Sequence, residues 1–413
     1  MTIIARRSAI GLVLAALGLS GARPAPPAPR GPGPRLRRGV NFHHVLNWPQ
    51  MSAAGDYAWP PFVGGTYETS DAELRRLRAS GFDFIRLTVD PAIHLAADAA
   101  RRAELQDIVA ARVKRLIAAG FAVIVDFHPV AQNPQFAPAR LMADGDAFAA
   151  YMDLAGTTAA TLSRLDPSKV VFELFNEPPL WRAEDQPRWQ AMQVKLHGVA
   201  RSAGGAALPL MLTGAKWSSY RTLIALDTQP FQGSNVYYTF HYYEPHIFTH
   251  QGVRKEQERY VSNLPWPARP SDEAIAVTEA KALIAKDAQL SADQKLDASR
   301  ATERLLKAYF DGEGERRNLN SAFAAITSWA SAQRISSSRI VMGEFGVAFQ
   351  PTASPTFRAS RSAWLHAVRS AAEAHGFPWA YWAYKGYGGM TLLTDGPSGG
   401  FDGEVVKALG LSN

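Results

Sequence analysis

The chain has 413 residues, of which 47% are hydrophobic and 20% charged, which excludes a disordered protein, and it lacks cysteine, which excludes thiol catalysis, zinc–thiolate sites and disulfides. Its formal net charge of +7 arises in residues 1–38, which hold seven arginines and no acidic residue, while the rest of the chain is balanced. A balanced folded region lacks the basic surface that a phosphate backbone needs, which argues against nucleic acid as a partner.

The amino-terminal residues have the pattern of an export signal. Arg6 and Arg7 precede an apolar run over residues 9–19, and small residues at 20–22 offer a cleavage site. A retained membrane anchor is the alternative, but this run is well short of the roughly 20 apolar residues that span a bilayer. We therefore predict a cleaved signal over residues 1–22 and a periplasmic or extracellular protein, without stable membrane insertion, exported by the general or the twin-arginine route.

A proline-rich segment follows the predicted signal. Residues 23–37 contain six prolines among alanine, glycine and arginine, a composition typical of an extended, semi-rigid tether. We predict a linker over residues 23–37 and a single folded domain over residues 38–413.

Eight short apolar runs then alternate with helical patterns along the chain. The runs begin near Arg38, Asp83, Phe121, Lys169, Pro209, Asn235, Arg339 and Trp379. Helical patterns lie at about 71–79, 105–117, 145–164, 187–203 and 357–374. Polar residues collect at the carboxyl ends of the runs, which favours an α/β fold of the (β/α)8 TIM-barrel type over a doubly wound sheet, because barrel strand ends converge on one face.

The interval between the sixth and seventh runs is about twice the usual length. It holds an aromatic, proline-rich loop and two or three charged helical patterns. We predict an enlarged loop and helical insertion over about residues 245–335, on the rim after strand six.

The fourth run ends in an amide, a carboxylate and a proline, which are Asn176, Glu177 and Pro178. Proline cannot continue the hydrogen-bond ladder, so the strand ends there and Glu177 is expected at the barrel mouth. A helix-capping or surface glutamate is the ordinary alternative. Glu173 lies about 13 Å deeper along the same side of the strand, and we expect it to serve the barrel interior.

The seventh run supplies a second carboxylate. Glu344 follows an apolar strand between Gly343 and Gly346, which permit close approach of a ligand, so it is expected at the same mouth. Two carboxylates at such positions are what glycoside cleavage requires, one to protonate the leaving oxygen and one to attack or activate water. A metal site also uses paired carboxylates, but it needs further ligands, and the chain has no His-x-His at a strand end.

Five more polar or aromatic residues lie near strand ends: Arg86, His128, His241, Tyr243 and Trp382. Each alone has a structural explanation, as a buried ion-pair partner, a core histidine or a core aromatic. Together they supply a cation to keep a nucleophile ionised, groups that bind hydroxyls, and an aromatic floor for a sugar ring. Further tryptophans in loops after strands would extend such a cleft or pack within the loops: Trp48, Trp59, Trp181, Trp217 and Trp266.

The ordered motifs resemble those of glycoside hydrolase family 5, the cellulase family of retaining (β/α)8 enzymes, over about residues 38–400. The matching motifs are Gly39-Val40-Asn41, Arg86, Asp126-Phe127-His128, Asn176-Glu177-Pro178, His241-Tyr242-Tyr243, Gly343-Glu344-Phe345-Gly346 and Trp382. The resemblance implies Glu177 as general acid/base and Glu344 as nucleophile. It also implies that the sugar is bound by Arg86, His128, Asn176, His241, Tyr243 and Trp382, without metal or cofactor.

The predicted function is therefore hydrolysis of internal β-1,4-glucosidic bonds in cellulose-like or mixed-linkage glucans by a secreted, monomeric enzyme. The same chemistry on β-mannan, xyloglucan or β-1,3-glucan is the first alternative, because loop contacts set sugar identity. A barrel that binds glycan without cleaving it is an alternative of another class.

Overall fold

Eight parallel strands form the centre of the computed structural model, which describes residues 33–182, 184–253, 257–349, 353–386, 389–394 and 399–412. The strands are β1 (Arg38–Leu46), β2 (Phe84–Val89), β3 (Ala122–Phe127), β4 (Val170–Glu173), β5 (Leu210–Thr213), β6 (Val236–His241), β7 (Ile340–Phe345) and β8 (Trp379–Tyr381). Each pairs in parallel with the next, and β1 pairs with β8, so the sheet closes into a barrel. The eight predicted strand starts lie within one residue of those observed, which confirms the (β/α)8 prediction.

Helices surround the barrel or cover its rim. They are α1 (Asp71–Ser80), α2 (Pro91–Ala96), α3 (Ala99–Ala118), α4 (Pro138–Ala143), α5 (Gly145–Leu162), α6 (Asp185–Gly204), α7 (Ala215–Ser218), α8 (Tyr220–Leu223), α9 (His246–Thr249), α10 (Glu273–Lys286), α11 (Ala292–Ala308), α12 (Arg316–Gln333), α13 (Pro355–Ala374) and α14 (Gly403–Ala408). No helix within the described ranges combines the length and apolarity needed to cross a bilayer.

The amino-terminal end of the barrel is closed by apolar side chains and by part of the predicted linker. Leu36 is buried in an interior cluster with Phe84 and Met211. The hydroxyl of Tyr237 donates to the carbonyl of Pro34 at 2.8 Å. The predicted linker boundary at residue 37 is therefore too late, because Pro34 and Leu36 pack against the amino-terminal end of the barrel, while Arg35 and Arg37 between and after them are exposed. The predicted signal and the rest of the linker, residues 1–32, lie outside the described residues.

The insertion after β6 ends earlier than predicted. Helices α10 and α11 pack as a hairpin on the rim. Helix α12, in contrast, packs on the outside of β6, where Phe323 meets Phe240 and Trp329 meets Tyr238 edge to face. It is thus the ordinary barrel helix before β7, and the predicted end of the insertion at 335 is wrong because the insertion ends before Arg316.

Candidate active site

Arg86 on β2 is the centre of the polar network at the carboxyl end of the barrel. Its side chain is fully buried, and it donates to both oxygens of Glu173, from Nε at 2.7 Å and from Nη2 at 2.8 Å. It also lies 3.0 Å from Asp126 and donates to Glu344 Oε1 at 2.7 Å. One guanidinium therefore serves three carboxyl groups, and the expectation that Glu173 belongs to the barrel interior is confirmed.

A bulge in β7 turns Glu344 into the barrel. Thr239 pairs with Val341 and Phe240 with Met342, but His241 pairs with Glu344, so Gly343 is an extra residue. Strict alternation would place Glu344 on the same side as Met342, which packs outward against the helices. The extra residue reverses that direction.

Glycine is required at the bulge, and Asn41 on β1 contacts it. A Cβ atom at Gly343 would lie 2.6 Å from the hydroxyl oxygen of Thr239. The side-chain amide of Asn41 donates to the carbonyl of Gly343 at 3.0 Å, and its oxygen accepts from Arg86 Nη1 at 3.0 Å. Asn41 thus links the bulge to the central arginine.

Burial dominates the electrostatics of Glu344. Tyr243 donates to Glu344 Oε2 at 3.0 Å, and His241 Nδ1 lies 3.5 Å from the same oxygen. Removal from water raises the pKa of Glu344 to about 7, and the neighbouring His241 and Arg86 only partly oppose this. Arg86 thus favours the ionised form of Glu344, as expected, but the effect of burial on the pKa is larger.

Glu177 approaches the same point from the β4 side. Its backbone is left-handed, with a φ of 46°, and its side chain remains 31% exposed. His241 Nδ1 lies 2.7 Å from Glu177 Oε1. One carboxylate oxygen of Glu177 and one of Glu344 lie within 4.8 Å of each other, as both do of a ring nitrogen of His241.

His128 and Asn176 complete the wall opposite His241. His128 Nδ1 lies 2.8 Å from Asp126, and its Nε2 lies 3.3 Å from the amide nitrogen of Asn176, whose oxygen accepts from Arg86 at 2.8 Å. The chain of partners fits a neutral ring that donates from Nδ1 and accepts at Nε2. Burial, followed by the charge of Arg86, holds the pKa of His128 well below its usual value.

Trp382 lines the bottom of the active site, together with His43 and Thr88, which were not predicted from the sequence. Its ring stacks on that of His128, with centroids 5.5 Å apart and planes 15° apart, and lies 4.8 Å from His43. His43 accepts from the indole N–H of Trp48 at 2.8 Å and contacts Thr88 at 3.0 Å. Thr88 could have been found from its position next to the end of β2, whereas His43 lies three residues before the end of β1.

All eight predicted site residues are therefore gathered at one end of the barrel. Three of the five loop tryptophans, Trp48, Trp181 and Trp217, are 36%, 58% and 50% exposed. Trp266 is buried in the insertion, and Trp59 packs under Arg101, so these two tryptophans stabilise the loops by packing within them.

The trio of Glu177, His241 and Glu344 is close enough to offer three donor atoms to a metal ion. The charge on Arg86, 2.7 Å from Glu344 Oε1, opposes a cation at that position. The donor set therefore fits a metal poorly and acid–base chemistry well.

Comparison with known proteins supports the same conclusion. A family model for cellulase (glycosyl hydrolase family 5) matches residues 38–388. Endoglucanase 3 of Fibrobacter succinogenes is 23% identical over 366 residues, which cover 85% of this chain and 50% of that protein. The chain thus spans about half the length of this curated relative.

Solved structures share the fold. Subunit Z of the clostridial cellulose synthase from Clostridioides difficile has a TM-score of 0.62 and 20% identity, covering 91% of this chain and 99% of that chain. Cel5A of Thermotoga maritima has been solved with cellobiose and with mannotriose, at TM-scores of 0.61 and 0.62. Both structures show 19% identity and cover 91% of this chain and 97% of theirs.

Proposed function

Because the chain belongs to glycosyl hydrolase family 5, the cellulase family, we propose that it is a retaining endo-β-1,4-glucanase acting on cellulose-like or mixed-linkage glucans. The observation that carries this proposal is the approach of one oxygen of Glu177 to within 4.8 Å of one oxygen of Glu344. Retaining enzymes separate their two carboxyl groups by about 5 to 5.5 Å, whereas inverting enzymes leave about 6.5 to 9.5 Å for a water molecule. The short distance supports direct attack on the sugar.

In the first step, Glu177 gives its proton to the glycosidic oxygen while Glu344 attacks the anomeric carbon. The glycosidic bond breaks, the shortened glucan leaves as an alcohol, and a glycosyl ester forms on Glu344. The partial exposure of Glu177 lets it reach the leaving oxygen, whereas Glu344 is held from below by Arg86 and from the side by Tyr243.

In the second step, Glu177 takes a proton from water, and the resulting hydroxide equivalent attacks the anomeric carbon. The ester bond breaks, Glu344 leaves as a carboxylate, and the sugar regains its original configuration. His241, next to both carboxyls, is kept neutral because burial lowers its pKa to about 4, so it positions Glu177 without competing as an acid.

Exposed tryptophans on both sides of the carboxyls support cleavage within a chain. Trp48 is connected to the floor through His43, while Trp181 and Trp217 lie on the loops after β4 and β5, beside Glu177. Indole faces stack on pyranose rings. Stacking surfaces on both the glycone and the leaving-group side suit a polymer that continues in both directions.

The polymer is tested with a panel of carboxymethylcellulose, barley β-glucan, xyloglucan, mannan and β-1,3-glucan, with and without EDTA. Mannan is included because a structural relative has been solved with mannotriose. We expect the highest kcat/KM on barley β-glucan or carboxymethylcellulose, unchanged by EDTA, and a first-formed product of β configuration by NMR. A first-formed α product would contradict retention, and binding without cleavage of any polymer would favour a glycan-binding barrel.

We also propose that the protein is exported, monomeric, and cleaved after residue 22. Support comes from the arginine pair, the apolar run and the small residues near the amino terminus. Sequencing the amino terminus of the mature protein tests the cleavage, and a product that begins at Met1 in the membrane fraction would contradict it. Size-exclusion chromatography with light scattering tests the monomer.

A further inference from the structure

We propose that Ser218, in the loop after β5, is a positioning residue that fixes the backbone of Glu177 and thereby aims the general acid. This inference rests on the proposed function, because it assumes that Glu177 protonates the leaving group. Ser218 is completely buried, and its hydroxyl oxygen accepts a hydrogen bond from the N–H of Glu177 at 3.2 Å.

Ser218 is the last residue of α7, a one-turn segment whose backbone is not that of an ordinary α-helix. Lys216, Trp217 and Ser218 have φ values of 51°, 54° and 56°, a left-handed turn built from residues other than glycine. Left-handed backbone is disfavoured for side chains with a Cβ atom, so a run of three such residues persists only where surrounding contacts hold it.

The contacts that hold this turn come from the loop that carries the general acid. The N–H of Lys216 donates to the carbonyl of Leu180 at 2.9 Å, and the N–H of Trp217 donates to the carbonyl of Pro178 at 3.2 Å. Together with the Ser218 hydroxyl, these bonds clamp the two loops along four residues. Glu177 is itself left-handed, so both partners in the clamp hold a disfavoured backbone.

The clamp has a direct consequence for the carboxyl group. The Glu177 side chain is 31% exposed and meets His241 at its carboxyl group, and the backbone of Glu177 sets the point from which that side chain reaches His241 and the leaving oxygen. Loss of the Ser218 hydroxyl leaves the Glu177 N–H without this acceptor and lets the peptide relax towards an ordinary φ. The carboxyl then moves away from the leaving oxygen, while Glu344, held by the barrel, stays in place.

A misaimed general acid affects only substrates whose leaving group needs a proton. We therefore compare kcat/KM on two substrates. The sugar that leaves from cellotetraose must be protonated, whereas the 2,4-dinitrophenolate that leaves from 2,4-dinitrophenyl β-cellobioside needs no proton. Ser218→Ala should lose roughly 10- to 100-fold on cellotetraose and less than about twofold on the activated substrate. Ser218→Gly should behave in the same way, because glycine accepts the left-handed backbone freely but has no hydroxyl.

Ser219→Ala is the matched control. Ser219 is the next residue, and its hydroxyl accepts from the N–H of Arg221 at 3.3 Å, away from Glu177. This variant should keep both activities. Equal losses on both substrates, no loss on either, a smaller loss for Ser218→Gly than for Ser218→Ala, or an equal loss for Ser219→Ala would each overturn the proposal. Failure of the wild-type protein to cleave either substrate would contradict the proposed function itself, which separates the two failures.

Discussion

The two carboxyl groups of the site are held by different parts of the molecule. Glu344 belongs to a strand, is 4% exposed, and takes its direction from a bulge inside the barrel. Glu177 follows a strand, is 31% exposed at its side chain, and takes its direction from a clamp between two rim loops. The difference matches the demands of the two proposed roles, because a nucleophile must be held rigidly away from water, whereas a general acid/base must reach the leaving oxygen and later a water molecule.

Each carboxyl group is held in place at a different energetic cost, which is a raised pKa for Glu344 and a disfavoured backbone conformation for Glu177. Burial beside two other carboxyls raises the pKa of Glu344 to about 7. Glu177 instead adopts a left-handed backbone, which the neighbouring left-handed turn supports. The strand side therefore carries an electrostatic cost and the loop side a conformational one.

Loss of the strand-side carboxyl should have the largest effect. Glu344→Ala removes the attacking group, so kcat should fall by about 10⁴-fold or more on polymers and activated aryl glycosides alike. Steady-state rates on both substrate types measure this. Glu244→Ala, a glutamate on the neighbouring loop, is the control and should retain activity. Retention of activity on aryl glycosides by Glu344→Ala would contradict its role as nucleophile.

Loss of the loop-side carboxyl should depend on the leaving group. Glu177→Ala should lower kcat/KM on β-glucan by roughly 10²- to 10⁴-fold, the usual contribution of general acid catalysis. On 2,4-dinitrophenyl β-cellobioside the loss in kcat/KM should stay below about tenfold, because that phenolate leaves without a proton. Equal losses on both substrates would assign Glu177 a different task.

The bulge at Gly343 in β7 can be weakened by a substitution in β1. Asn41→Ala removes the amide that bonds Gly343, so kcat should fall roughly 10- to 100-fold with little change in KM. Asn235→Ala is the matched control, because Asn235 is equally buried and bonds the carbonyl of Ala207 at the opposite end of the barrel. Both variants should lower Tm, but only Asn41→Ala should lower kcat. Equal kcat values in the two variants would show that the bulge needs no such support.

The acidity of Glu344 should appear in the pH profile. Below its pKa of about 7 the carboxyl is protonated and cannot attack, so kcat/KM should rise with pH up to about 7. At pH values well below that pKa, the rise should be about tenfold per pH unit. An acid limb near pH 4 to 5 would contradict the effect of burial.

Asp90 supplies the control for that profile, because burial also raises its pKa to about 7. Between about pH 4 and 7 this carboxyl is protonated in the folded chain and ionised in the unfolded chain, so its contribution to stability falls as pH rises. Asp90→Asn should make that fall in the Tm profile shallower, because Glu344 and Asp126 have similarly raised pKa values and remain, and it should leave the acid limb of activity unchanged.

Much of this architecture could be predicted from the sequence, because it follows from local patterns. Apolar runs located all eight strands, and the Asn176-Glu177-Pro178 sequence marked a strand end with a carboxylate. The place of Glu344 at the barrel mouth was predicted from its position at the end of an apolar strand, but its direction was not, because simple alternation from Met342 would have placed it outside the barrel. The extra residue that reverses it has no signature except Gly343.

The missed features depend on contacts between distant segments. The sharing of Arg86 among Asp126, Glu173 and Glu344 exists only because closure of the barrel brings four strands together. The burial that raises the pKa of Glu344 follows from the same closure, so neither feature had a local signal. Ser218 was missed because no glycine or asparagine marks its left-handed turn. The burial of Pro34 and Leu36 was missed because the composition around them is that of a linker, while the apolar cluster that receives Leu36 is formed by the strands.

The configuration of azide adducts distinguishes the nucleophile from the general acid/base. In the presence of azide, the Glu344→Ala variant should convert an activated β-cellobioside into the α-glycosyl azide. Azide takes the place of the missing nucleophile and attacks the anomeric carbon from the face opposite the leaving group. Glu177→Ala should release the β-glycosyl azide, because Glu344 still forms the ester and azide then displaces it. Proton NMR of the two adducts distinguishes them. An α-azide from Glu177→Ala, or a β-azide from Glu344→Ala, would contradict the account.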